Sequence, residues 1–162
     1  MPILVSDANI FIDLEIGGVV REAFRLPEEI QTPDFLFQDE LAEEHPDLIS
    51  LGLVLGELDE SGIADLVALA GRYTGISRYD SAALALARSI GCPLVTGDSR
   101  LRAAARTEAI EVHGTVWLIE RMLDEHLITT GTARTAFESM RNNGRRLPWQ
   151  KAERMIRRKS GS

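Results

Sequence analysis

The sequence predicts an α/β fold: three layers, α/β/α, around a central and mostly parallel sheet, with further helices after it. Two patterns predict this. Short, mostly apolar runs such as ILVS (3–6) and PLVT (93–96) have the length of strands and want cover on both faces, as strands of parallel sheets do. Stretches with helical spacing separate those runs, as crossover helices separate parallel strands. At 162 residues the chain suits one well-packed domain.

Taken in order, PILVS (2–6) reads as the first strand, and apolar residues at 10, 11 and 14 give a helix from Ala8 to about Glu15. Gly17-Gly18 ends it, and VVREAFRL suggests a short helix before Pro27. Ile30-Gln31-Thr32 is a short strand, and Pro33 suits the first turn of a helix running to Pro46. The run LISLGLVLGEL (48–58) is read as a strand near 48–54. Helices follow over Ser61–Tyr73 and over DSAALALARSI (80–90), the latter closed by Gly91. PLVT is a buried strand, Gly97-Asp98 a turn, SRLRAAART a helix, and Glu111–His113 a last strand. Three more helices are expected at about 115–126, 130–142 and 148–158. The division expected is a core over 1–128 and a helical extension over 129–162, packed on it or projecting from it.

Composition is ordinary for a globular protein, 44% hydrophobic and 27% charged. No apolar run approaches the roughly 20 residues that span a bilayer, and the N-terminus lacks the pattern of a signal peptide. One cysteine, Cys92, forms no internal disulfide, so a cytoplasmic location is expected. Charge is uneven: from Arg141 onward eight basic residues face one acid, Glu153, while residues 1–140 carry 10 basic residues and 24 acids, a formal −14. Such a basic tail either meets phosphates or balances its own acidic body.

Three acids occupy comparable junctions. Asp7 follows the first strand, Asp98 follows PLVT after one glycine, and Asp80 opens a helix three residues after Ser77. Each suits a helix N-terminus as a cap. Strand-end acids of an open α/β sheet also converge at its carboxyl edge, where crowded carboxylates need shared protons or hard divalent cations. A fourth acid is expected from FLFQDELAEE, where Glu40 borders the stripe Leu36, Phe37, Leu41 and Asp39 competes with it. Asp13 is read as a surface residue. His45, His113 and His126 are scattered, and with one cysteine they offer no zinc set.

VSDANIFIDL, DELAEE and SRYDSAALALARSIGCPLVTGDSRLRAAA, in this order and spacing, resemble the PIN domain, the metal-dependent nuclease fold of VapC-type toxins. GTVWLI and the helices after it look like the extension of a subgroup of that family. The resemblance implies Asp7, Glu40, Asp80 and Asp98 as catalytic, metal-binding acids for Mg²⁺ or Mn²⁺, with Asn9 and Thr96 as supporting polar residues. It implies metal-assisted hydrolysis of RNA phosphodiesters, an antitoxin partner and a homodimer. Ser99 and Arg100, beside Asp98, are candidates for a phosphate contact. Two rivals are a non-catalytic PIN-fold protein that binds RNA or a partner, and a Mg²⁺-dependent phosphatase of Rossmann-like topology. The phosphatase wants an acid two residues after Asp7, where this chain has Asn9.

Overall fold

A computed structural model describes residues 1–161. Five short parallel strands form one sheet in the order β3-β2-β1-β4-β5: β1 (Ile3–Ser6), β2 (Glu29–Pro33), β3 (Val54–Gly56), β4 (Leu94–Val95) and β5 (Val112–His113). The chain winds outward from β1 to β3 and then returns to the other side of β1. The strand order therefore reverses between β1 and β4, the point where open α/β sheets bind ligands.

Side chains that alternate along the strands divide the core. Leu4 and Val95 face the layer made by α1 (Ala8–Ile16), α8 (Thr115–Asp124), α9 (Thr130–Asn142) and α10 (Trp149–Ser160). Val5 and Leu94 face the opposite layer, of α5 (Glu60–Arg72), α6 (Arg78–Ile90) and α7 (Ser99–Thr107). Six consecutive apolar residues of α6, Ala82 to Ala87, are buried, and their small side chains let this helix lie close on the sheet. Gly91 ends α6 in the left-handed region (φ 77°), with its N–H donating to the Ala87 carbonyl at 2.8 Å.

Three expectations are corrected. The segment read as a strand near 48–54 is the short helix α4 (Leu48–Leu51) followed by β3. Leu48 and Leu53 are buried while Ile49 is exposed, so the run turns at Gly52 (φ 129°) instead of extending. The long helix expected from Pro33 to Pro46 is only α3 (Asp34–Leu36) and a π-helical turn over Phe37–Leu41, and Pro33 ends β2. Asp13 is not on the surface: it is 6% exposed, accepts from the Thr115 hydroxyl at 2.8 Å, and pairs with Arg145 at 2.6 Å. Its six-residue offset from Asp7 turns it toward α8 and the loop after α9, elements that hydrophobic spacing along α1 does not reveal. α2 (Val20–Ala23) completes the set of helices.

The last two helices share a core with the sheet. Ala136, Phe137, Met140, Met155 and Ile156 are buried in the same cluster as Leu4 and Val95. Arg158 pairs with Glu120 at 2.5 Å, and Lys159 with Asp124 at 2.6 Å, so part of the basic tail neutralises α8.

Breaking a buried, hydrogen-bonded ion pair leaves a charge unpaired, at a cost of about 3–5 kcal/mol. Asp13→Ala is therefore expected to lower the unfolding free energy by about 3 kcal/mol or more in urea denaturation. A loss under about 1 kcal/mol, the size of a surface pair, contradicts this role.

Candidate active site

The site begins with a register. β1 and β4 pair with Ser6 opposite Val95, so the next residues on each strand, Asp7 and Thr96, leave the sheet side by side. The Asp7 N–H donates to the Val95 carbonyl at 3.2 Å, and the Thr96 hydroxyl donates to Asp7 Oδ2. Thr32, at the end of β2, donates its hydroxyl to the Ser6 carbonyl at 2.9 Å and holds the other flank. Asp7 Oδ1 accepts the Ile10 N–H at 3.2 Å and so caps α1. Capping and cation-facing roles are thus compatible at this residue.

Asp7 is 3% exposed. Its pKa is raised from 3.8 to about 7, chiefly by burial and to a smaller extent by the charges of Asp80 and Asp13, against the lowering effect of the Thr96 and Ile10 bonds. Asp80 is half-buried at the start of α6, in a capping box: its N–H donates to Ser77 Oγ at 3.1 Å while its Oδ2 accepts the Ser77 N–H at 3.3 Å. Its carboxyl is also raised, first by burial and then, against the two Ser77 bonds, by Asp98. Asp98 caps α7, its Oδ1 accepting the Arg100 and Leu101 N–H groups, both at 2.9 Å. Its own N–H donates to Thr96 Oγ1 at 3.1 Å, which ties it to the same threonine that holds Asp7.

The π-helical turn carries Glu40. The Ala42 N–H reaches back to the Phe37 carbonyl at 2.8 Å, and this widened turn buries Phe37 and Leu41 while Asp39 and Glu40 stay outside. The two acids diverge in function. Asp39 accepts from the Tyr79 hydroxyl at 2.8 Å and from Arg78 at 3.5 Å. Glu40 accepts no hydrogen bond among the described residues, and its carboxyl is raised by burial, by Asp80 and by Asp39. Asp80 is thus the hub: its charge acts on Asp7 and Glu40, and Asp98 acts on it.

Asn9 is exposed; its Oδ1 and its carbonyl both accept from Arg145 at 3.4 Å. Ser99 is exposed on the first turn of α7, and Arg100 donates to the Gly75 carbonyl at 3.4 Å. Sequence reasoning missed Thr32, Arg145 and the partner of Arg102. Arg145 comes from the loop after α9 and, anchored by Asp13, brings a guanidinium to the start of α1. Arg102 donates to the Thr96 carbonyl at 3.0 Å, passing Gly114, where an added Cβ would stand 3.0 Å from its Nη1. Only the cluster of basic residues around 141–146 hinted at Arg145, and nothing in the sequence marked the other two.

A family model described as a PIN domain matches residues 3–160. The chain belongs to the PIN-domain family. The match runs into α10, so the C-terminal helices belong to this PIN domain's family pattern. PIN domains are in general nucleases and typically use divalent metal ions. No curated protein matches the chain. Among the described residues no three His, Cys, Asp or Glu side chains are arranged to hold a metal ion. The donor set of this PIN domain nonetheless suits a hard cation. It is all oxygen, Asp98 Oδ2 and Glu40 accept no hydrogen bond among the described residues, and three of the four acids are held toward their neutral forms by burial and by one another, a cost that a cation would relieve.

Because the folded-state pKa of Asp7 lies above its unfolded value, the native protein keeps a proton that the unfolded chain loses between pH 3.8 and about 7. The associated stability is full below pH 3.8 and is lost as pH rises through 7. Asp7→Asn keeps the shape and removes the charge. Without divalent cations at pH 8 it is expected to stabilise the protein by about 2–4 kcal/mol, with a smaller gain at pH 5. Thermal melts at the two pH values check this, and a variant less stable than wild type at pH 8 contradicts it.

Proposed function

We propose that this PIN-domain protein is a divalent-metal-dependent endoribonuclease, the toxin of a toxin–antitoxin pair of the VapC type. What supports the reading is that Asp7, Glu40, Asp80 and Asp98, carried on four separate elements beside the switch point of the sheet, are linked through Asp80: its charge acts on Asp7 and Glu40, and that of Asp98 acts on it. A structural cap needs one carboxylate per helix and gains nothing from repulsion between them.

In this reading the four acids hold Mg²⁺ or Mn²⁺. Bound there, such a cation would supply Lewis acidity toward water and the phosphodiester. The chain's own groups do the rest. Thr96 fixes the rotamer of Asp7 and the backbone of Asp98 together, so the two strand-end carboxylates keep their spacing. Asp98 turns one oxygen to the first turn of α7 and leaves the other for the cation. Asp80 is held by Ser77 in the same manner. Hydrolysis cleaves the P–O3′ bond, water supplies the incoming oxygen, and the leaving 3′-oxygen takes a proton. Arg145, at the rim beside Asn9, offers a guanidinium to the substrate phosphate.

An antitoxin partner and a homodimer belong to the same proposal. Exposed Ile63 and Val67, one turn apart on α5, support a protein contact there.

Cleavage of single-stranded RNA tests the reading. Wild type with Mg²⁺ or Mn²⁺ is expected to cut, with EDTA abolishing the activity and Asp7→Asn or Asp98→Asn lowering the rate at least about 100-fold. Full cleavage by both variants overturns the assignment of the acids. Growth arrest on expression, relieved by the neighbouring reading frame, tests the toxin role.

A further inference from the structure

Two adjoining cavities, of about 310 and 350 Å³, run from the candidate active site along the face between α8 and α10. They share Arg102, Gly114, Val116, Trp117 and Lys151, and so form one groove. Its inner end is lined by Gly97, between Thr96 and Asp98. Its outer end reaches Arg154 and Arg158.

The lining has the wrong charge for a chain of formal net charge −7 unless an anion belongs there. Its two acids, Asp13 and Glu120, are already paired, with Arg145 and Arg158. Arg146, Lys151 and Arg154 have no carboxylate partner among the described residues. Arg102 is half-buried with only a carbonyl to receive it, and burial and Arg106 both work against its charge. The wall is also aromatic: the rings of His113 and Trp117 stack at 4.0 Å, 8° from parallel, and both remain partly exposed. Unpaired cations beside a flat aromatic pair are the combination that holds unpaired nucleotides, phosphates on one side and a base on the other. In a duplex the bases are stacked inside and cannot use it.

We propose that single-stranded RNA leaves the carboxylate site along this groove, its phosphates against Arg102, Arg146, Lys151 and Arg154 and a base against the Trp117–His113 pair. The inference rests on the nuclease reading and adds a direction: the strand runs over β5 and α8 toward α10. It also gives the basic C-terminal segment a role beyond neutralising α8.

The test is fluorescence anisotropy with a labelled oligouridylate and the full chain carrying Asp98→Asn, in Mg²⁺. Reversing Lys151→Glu and Arg154→Glu together, both exposed on α10, is expected to weaken binding at least tenfold. It should also flatten the dependence of log K on log salt by roughly 1.4, the share of two phosphate contacts on a single strand. Arg146→Ala, in the loop before α10, weakens binding about threefold, and Trp117→Leu at least fivefold for the single strand with no change for a duplex. Unchanged affinity in the double variant overturns the groove. So does displacement of the RNA by polyglutamate at equal charge, which would assign the groove to an acidic protein. Cleavage by the protein with Asp98 intact is measured alongside. It reports on the nuclease reading alone, so either result can fail without the other.

Discussion

The candidate site depends on one hydrogen bond, from the Thr96 hydroxyl to the carboxylate of Asp7. Asp7 leaves the sheet in a buried position, where ionisation is opposed by desolvation and by two other carboxylates. The same threonine oxygen receives the Asp98 N–H, so a single hydroxyl sets the positions of two acids from different strands. Its own position follows from the parallel register of β1 with β4, and that register follows from apolar strands buried on both faces. A chain of causes thus runs from alternation along strands of two to four residues to the spacing of charged groups at their ends.

The energetic sign of this arrangement is informative. Caps and paired acids in a stable protein are normally held below their ordinary pKa, as Glu108 is here by Tyr73, Arg72 and Arg88. Asp7, Glu40 and Asp80 are all displaced the other way. A fold retaining three uphill carboxylates at one edge trades stability for something else, and in a PIN domain the natural return is a bound cation.

Much of this was legible in the residues. Strand runs bounded by Ser6-Asp7 and Gly97-Asp98, the Ala-rich helix after Ser77 and its Gly91 stop all rest on local chemistry, and local chemistry is what a sequence displays. What was missed is what depends on distant partners. Asp13 looks like a polar position on a helix, and only α8 and the loop carrying Arg145 make it an internal ion pair. The π-helical turn that separates Asp39 from Glu40 is an irregularity that apolar spacing does not encode, since Leu36, Phe37 and Leu41 suit an ordinary helix equally well. In LISLGLVLGEL the propensities of Leu and Ile leave helix and strand open, and burial of Leu48 and Leu53 decided between them. The groove beside α10 combines residues from three parts of the chain, of which the sequence showed only an unassigned surplus of basic charge.

The central claim is that the strand-end carboxylates form a cation site built around Asp7. Titration of the chain with Mn²⁺, followed by electron paramagnetic resonance of the free ion, tests it without reference to any RNA. The account predicts saturable Mn²⁺ binding that Mg²⁺ displaces and that Asp7→Asn abolishes while the variant stays folded. Equal Mn²⁺ binding by wild type and Asp7→Asn, or none by either, would contradict it.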